Sequence, residues 1–203
     1  MKRRATRIAV LVTSLLASFA QGCTQSTNEV GAEQGEGGSP AAEDVIPAFE
    51  VDPMWPQPLP SNWVVGAVIG VAVDSRDHVW IVHRPSTVAE GDRLAAANPP
   101  LAECCVPAPP IIEFDPAGSV VQAWGGPGQG YDWPDAEHGL WIDGNDNVWT
   151  GGSEGNQILK FTRDGRFMLQ IGRPGESKGN SDTENLNRPA DIDVDMDANE
   201  VYV

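Results

Sequence analysis

One phrase occurs three times in this chain, and it constrains the fold more than any other feature. It reads GVAVDSRDHVWIVHR from Gly70, GLWIDGNDNVWTGG from Gly139 and DIDVDMDANEVYV from Asp191. Aligned on the aspartate before each turn, the copies superpose Asp74, Asp143 and Asp195. An aromatic follows at Trp80, Trp149 and Tyr202, at offsets of 6, 6 and 7. Each copy reads as an apolar strand, a tight turn and a second strand. Two more strands follow in the first two copies, where IIEFDPAGSVVQAWG (residues 111–125) matches ILKFTRDGRFMLQIG (residues 158–172). Each unit therefore has four antiparallel strands joined by short turns.

The spacing is 69 residues from Val71 to Leu140 and 52 from Leu140 to Ile192. The excess lies in residues 83–110, between the second and third strands of the first unit. Without such insertions the period falls to roughly the 40–45 residues of a four-stranded propeller blade. The pattern predicts an all-β fold, a β-propeller that closes with about 4–8 blades. About two and a third of those blades are present, because the third copy stops at Val203 inside a strand. The expectation is an incomplete propeller, lacking about 120–200 residues of a longer gene product.

Propeller geometry sorts the connections. Strand direction alternates, so the tight turns DSRDH, DGNDN, DPAGS and TRDGR share one face. The long connections 83–110, 126–138 and 173–190 share the other, and long loops on a rigid face are where binding usually sits. His83, Arg84 and His138 fall on that face. Trp80, Trp141 and Trp149 are expected in the core between blades.

The N-terminal 61 residues read differently. Residues 1–22 form a signal peptide: Lys2, Arg3, Arg4 and Arg7 precede IAVLVTSLLASFA, an apolar run of 13 residues, too short to span a bilayer comfortably. AQGC, ending at Cys23, resembles a bacterial lipobox, which would make Cys23 a lipidated residue. SFA before Gln21 is a competing cleavage site. The chain is thus expected to be exported, as a periplasmic or cell-surface lipoprotein or, alternatively, as a secreted protein. Residues 23–61 form an acidic tether rich in Pro and Gly, with no Lys or Arg from 24 to 60. Trp55, within VDPMWPQPLP, can dock on the folded part. Residues 62–203 form the partial propeller.

The formal charge of −16 argues against nucleic acid, whose phosphates need a basic surface. Any membrane association is expected through the lipid anchor alone. Besides Cys23, the chain has only the adjacent Cys104 and Cys105, which form a vicinal disulfide, remain free thiols, or bridge to a missing part or to another chain. Two apparent motifs fail on inspection. DGNDNVWTGGSE puts Val148 where a calcium loop needs Gly. GGPGQG has the wrong glycine spacing for a dinucleotide loop, and no helix follows it. His138 by residue type alone is a packing or capping group or a metal ligand, and Arg84 a surface charge or an anion-binding fork.

The copies resemble NHL repeats, which build six-bladed propellers. The stretches GVAVDSRDHVWIVHRP, EHGLWIDGNDNVWTGG and LNRPADIDVDMDANEVYV look most like the peptidyl-α-hydroxyglycine α-amidating lyase branch. The HR ending the first copy and the HG opening the second are its more specific marks. The resemblance implies a zinc-dependent carbon–nitrogen lyase that releases an amide and glyoxylate from a peptide-like substrate. It makes Arg84 the active-site arginine that holds the substrate and His138 one of three zinc-binding histidines. It also makes Val71 and Leu140 positions whose main-chain carbonyls bind calcium in the channel. The other two histidines and a catalytic tyrosine are expected beyond Val203, so this fragment is expected to be inactive. Asn187 stands where vertebrate members carry a cysteine, so their disulfide is absent. The alternative is a non-catalytic propeller that binds a protein or another ligand on the same face.

Overall fold

The computed structural model describes residues 48–203. The signal peptide, Cys23 and most of the expected tether lie outside the described residues. Among the described residues, twelve strands account for nearly all the regular structure. Strand β1 (Trp63–Val64) precedes β2 (Ala67–Val73) and β3 (Val79–Arg84). Three short 3₁₀ turns follow, then β4 (Val106–Pro107), β5 (Ile111–Phe114) and β6 (Val120–Trp124). The second copy supplies β7 (Glu137–Ile142), β8 (Val148–Gly152), β9 (Gln157–Phe161) and β10 (Phe167–Gly172), and the third β11 (Asp193–Asp195) and β12 (Glu200–Tyr202).

The fold is all-β, and its principal sheets are antiparallel. Strands β2, β3, β5 and β6 form one four-stranded sheet, and β7, β8, β9 and β10 form the other, each in chain order. Neither sheet closes on itself. Strands β11 and β12 pair as a hairpin with Asp193 opposite Tyr202. The short parallel pair β1–β4 is the exception to the antiparallel rule.

The turns repeat as faithfully as the strands. Asp74 N–H donates to the His78 carbonyl and Asp77 N–H to the Asp74 carbonyl; Asp143, Asn147 and Asp146 repeat both bonds. Asp77 and Asp146 take the left-handed backbone conformation at φ +61° and +59°, which a short polar side chain tolerates. The β5–β6 and β9–β10 turns close with the same bonds, but there Gly118 and Gly165 hold the left-handed position.

Alternation along the strands builds three cores. From β3, Trp80 and Val82 point one way and pack with Ile111, Leu140 and Val148, joining the two sheets face to face. Ile81 points the other way, with Ile112 and Phe114, and is covered by Trp55, Leu59 and Trp63. Trp55 meets Phe114 at a ring-centroid distance of 5.5 Å, so the Pro-rich segment does dock on the first sheet. In the second sheet Val148 faces the first core. Its neighbour Trp149 faces the third, with Ile158, Ile192, Val194 and Val201. Of the three tryptophans expected in the core, Trp80 and Trp149 are buried and Trp141 is half-buried. The edge strands β2 and β7 lie side by side. Gly70 permits that approach, because a Cβ there would stand 3.1 Å from the Leu140 nitrogen.

Candidate functional site

Arg84 is the last residue of β3 and Glu137 the first of β7. The packing of the two sheets brings these strand ends together. Arg84 Nε donates to the Glu137 carbonyl at 2.9 Å, and Nη2 approaches Ser153 Oγ at 3.4 Å. The guanidinium therefore bridges the sheets beside the residue that precedes His138. At His138 the β7–β8 ladder carries a bulge, with Gly139 at φ +73°. A Cβ on Gly139 would lie 3.2 Å from the Ala190 carbonyl, so glycine lets that segment come close. The same carbonyl lies 2.5 Å from His138 Nδ1. A carbonyl only accepts, so Nδ1 carries a proton, and in the neutral ring that leaves the lone pair on Nε2. One ring nitrogen held by a carbonyl and the other left as a donor is how ligating histidines are commonly oriented. Among the described residues, no cluster of three metal-ligating side chains includes His138.

His83, on the same face by sequence, has a different role. It is fully buried, Nδ1 accepts from Gly66 N–H at 3.1 Å, and Nε2 donates to the Pro109 carbonyl at 3.0 Å. Burial pushes its pKa down, partly offset by main-chain bonds to Pro109 and Ala108. Both nitrogens are used, so the ring pins the 83–110 connection and offers nothing to a ligand. Val71 is exposed and Leu140 buried, on the adjacent edge strands β2 and β7. Cys104 and Cys105 are joined as a vicinal disulfide immediately before β4.

Beside Arg84 lies a cavity of about 490 Å³, which runs from Pro85 past residues 107–110 to Trp133 and Glu137. Glu137 is buried, and its Oε1 accepts from Trp133 Nε1 at 2.9 Å. Gly125 makes room for the Trp133 ring: a Cβ there would stand 2.8 Å from it.

A second polar cluster sits by the tight turns. Asp74, His78 and Glu113 offer ligand atoms within 4.8 Å of one another. These groups are already engaged. Glu113, fully buried, binds His78 Nδ1 at 2.6 Å, Gln122 Nε2 at 2.7 Å and the Arg163 guanidinium from the second sheet. Asp74 binds Arg76 Nη2 at 2.8 Å and Trp80 Nε1 at 3.1 Å. Burial raises the Asp74 pKa, but the Trp80 indole, the Arg76 and His78 amides and the Arg76 guanidinium outweigh it and hold the carboxyl at about 2. Asp143 is also held at about 2. Burial again opposes the shift, and bonds from Trp149, Asn147 and Lys160 overcome it. Arg163 reaches Asp74 and Glu113 from the second sheet, so their network is a polar clamp between the sheets, whereas the partners of Asp143 all belong to its own sheet.

Sequence reading singled out Arg84 and His138 but missed Glu137, whose neighbours are set by contacts across the sheets. The only signal was its place directly before the HG dipeptide. It also missed Glu113, which alternation places on the β5 face that turns towards the second sheet. Compared with known proteins, the chain matches no family model and no curated protein.

Proposed function

We propose that residues 62–203 are blades of an NHL-type β-propeller, and that the face bearing Arg84 and His138 is a ligand site of the α-amidating lyase type. Successive four-stranded meanders, packed face to face with their first strands side by side, support the blade reading. The observation that carries the functional reading is the bond from Arg84 to the Glu137 carbonyl, which seats a planar donor fork next to His138.

On this reading Arg84 binds a carboxylate or a polarised oxygen of a peptide-like substrate through its remaining N–H groups. His138, oriented by Ala190, donates Nε2 as one zinc ligand. The described residues thus fit one of the three protein ligands usual at a catalytic zinc. When bound, zinc would supply Lewis-acid polarisation of the substrate oxygen. Main-chain carbonyls of Val71 and Leu140 would suit a structural calcium between the edge strands. Export through residues 1–22, with or without a lipid on Cys23, belongs to the same proposal.

The test uses protein expressed from its complete reading frame, with zinc content and glyoxylate release from an α-hydroxyglycine peptide as readouts. His138→Ala is expected to lower both. Arg84→Ala is expected to keep the metal and weaken turnover. Unchanged zinc in His138→Ala would sink the lyase reading.

A second reading has its own support. Arg84 already spends Nε and Nη2 inside the protein, as an inter-sheet strut would. A non-catalytic binding propeller fits that use, and absence of glyoxylate release from metal-loaded protein would favour it.

A further inference from the structure

The cavity beside Arg84 has a chemical bias that the lyase reading does not use. Six of the fourteen residues lining it are prolines, which have no backbone N–H. Two more are carboxylates, Asp135 and Glu137, and no lysine or arginine lines it. The Trp133 indole N–H is committed to Glu137, which leaves the Trp63 indole N–H and the Ser86 hydroxyl as the side-chain donors of the lining. The wall is therefore rich in acceptors and poor in donors.

Glu137 sharpens the bias. It is only 5% exposed, and its carboxylate accepts one side-chain hydrogen bond, from Trp133. Two guanidiniums touch this wall, and neither pairs with its carboxylates. Arg84 bonds to the Glu137 main-chain carbonyl and Ser153, and Arg93 bonds to the Pro85 carbonyl at 3.3 Å. A buried carboxylate without a counter-charge is costly, and a cation brought beside it recovers that cost. Trp63 and Trp133 line the same space, and an indole ring is the side chain that best takes a cation–π contact. At about 490 Å³ the cavity is in the size range of small-molecule sites.

We propose that this cavity binds a small primary alkylammonium ligand, with the ammonium at Glu137 and the alkyl chain along Trp133 and the prolines. Three N–H donors match the acceptor-rich wall, and the single positive charge matches Glu137. The inference needs neither a metal nor turnover, so it stands or falls apart from the lyase reading.

The experiment is calorimetric titration of the full chain with n-hexylammonium, 1-hexanol and hexanoate. Hexylammonium is expected to bind at least about tenfold tighter than the neutral alcohol, and hexanoate weakest of the three. Glu137→Gln keeps an acceptor for Trp133 and removes the charge. It is expected to lower hexylammonium affinity about tenfold and leave hexanol unchanged. Equal binding of amine and alcohol by the unmodified protein would overturn the proposal without recourse to any variant. So would hexylammonium affinity that survives Glu137→Gln. A capped lysine tripeptide that binds tighter than hexylammonium would assign the cavity to a protein side chain and overturn the free-amine assignment.

Discussion

Trp149 donates its indole N–H to the Asp143 carboxylate at 3.0 Å, and Trp80 makes the same bond to Asp74 at 3.1 Å. This pairing gives the sixfold offset of the repeat its physical meaning. The aspartate caps the turn by accepting main-chain N–H groups, and the strand after the turn returns its tryptophan to the same carboxylate. In the third copy the offset is 7, and Tyr202 bonds to Glu200 instead, at 2.6 Å. Asp195 keeps only the turn bonds, to the amides of Asp197 and Ala198.

Asp143→Ala is expected to destabilise the protein by about 2–4 kcal/mol, because it leaves the indole, two turn amides and Lys160 without their buried acceptor. Trp149→Phe is expected to cost less than Asp143→Ala. Urea unfolding of both variants and of the double variant checks this. Additive losses would show that the pair does not act as a unit.

Stability is expected to fall on the acid side in two stages. His83 is buried and its folded pKa lies below the ordinary 6.5, so its contribution is present above that value and is lost as pH falls below it. Asp74 and Asp143 have folded values of about 2 against 3.8, so their contribution is present above 3.8 and is lost between 3.8 and about 2. Each aspartate contributes roughly 2 kcal/mol on this linkage. Thermal melts from pH 7 to pH 2 should show the steeper loss in the lower window. A melting temperature that stays flat down to pH 2 would remove the clamp from the stability argument.

Trp55 is expected to anchor the N-terminal segment. Besides meeting Phe114, it stands close to Gly118, and Gln57 N–H bonds the Gly118 carbonyl at 2.9 Å. Trp55→Ala should cost about 3 kcal/mol and open residues 50–60 to protease. Limited proteolysis followed by mass analysis reads the cleavage sites. An unchanged digestion pattern would contradict the anchoring role.

Arg84→Lys and Ser153→Ala separate the two ends of the inter-sheet strut. Lysine lacks the planar fork and is expected to lose about 1 kcal/mol of stability. Ser153→Ala is expected to stay within about 0.5 kcal/mol, since its 3.4 Å contact is long for a hydrogen bond. Denaturant midpoints of the two variants provide the comparison, and equal losses would mean that the serine bond matters as much as the Glu137 carbonyl.

The sequence by itself determined the strands of the repeated units, their order and the tight turns between them, but not the short parallel β1–β4 pair, whose second strand lies within the 83–110 connection. The repeated strands and turns depend on neighbours in the chain: alternation sets which face of β3 is apolar, and Asp77, Asp146, Gly118 and Gly165 meet the backbone demands of the turns. The sequence also put Arg84 and His138 on the long-loop face, and their expected site roles came from the resemblance to the lyase branch. Only the tertiary structure decided what those residues touch. Arg84 meets Glu137 across 53 positions, Arg163 meets Glu113 across 50, and His138 meets Ala190 across 52. Such pairings arise from how one sheet lies on the next, and no local periodicity encodes that. His83 makes the point most sharply. By sequence it is a polar residue on the binding face, but packing buries it against Gly66 and Pro109, and the same packing sets the buried Glu137 in the wall of a cavity that His83 does not line.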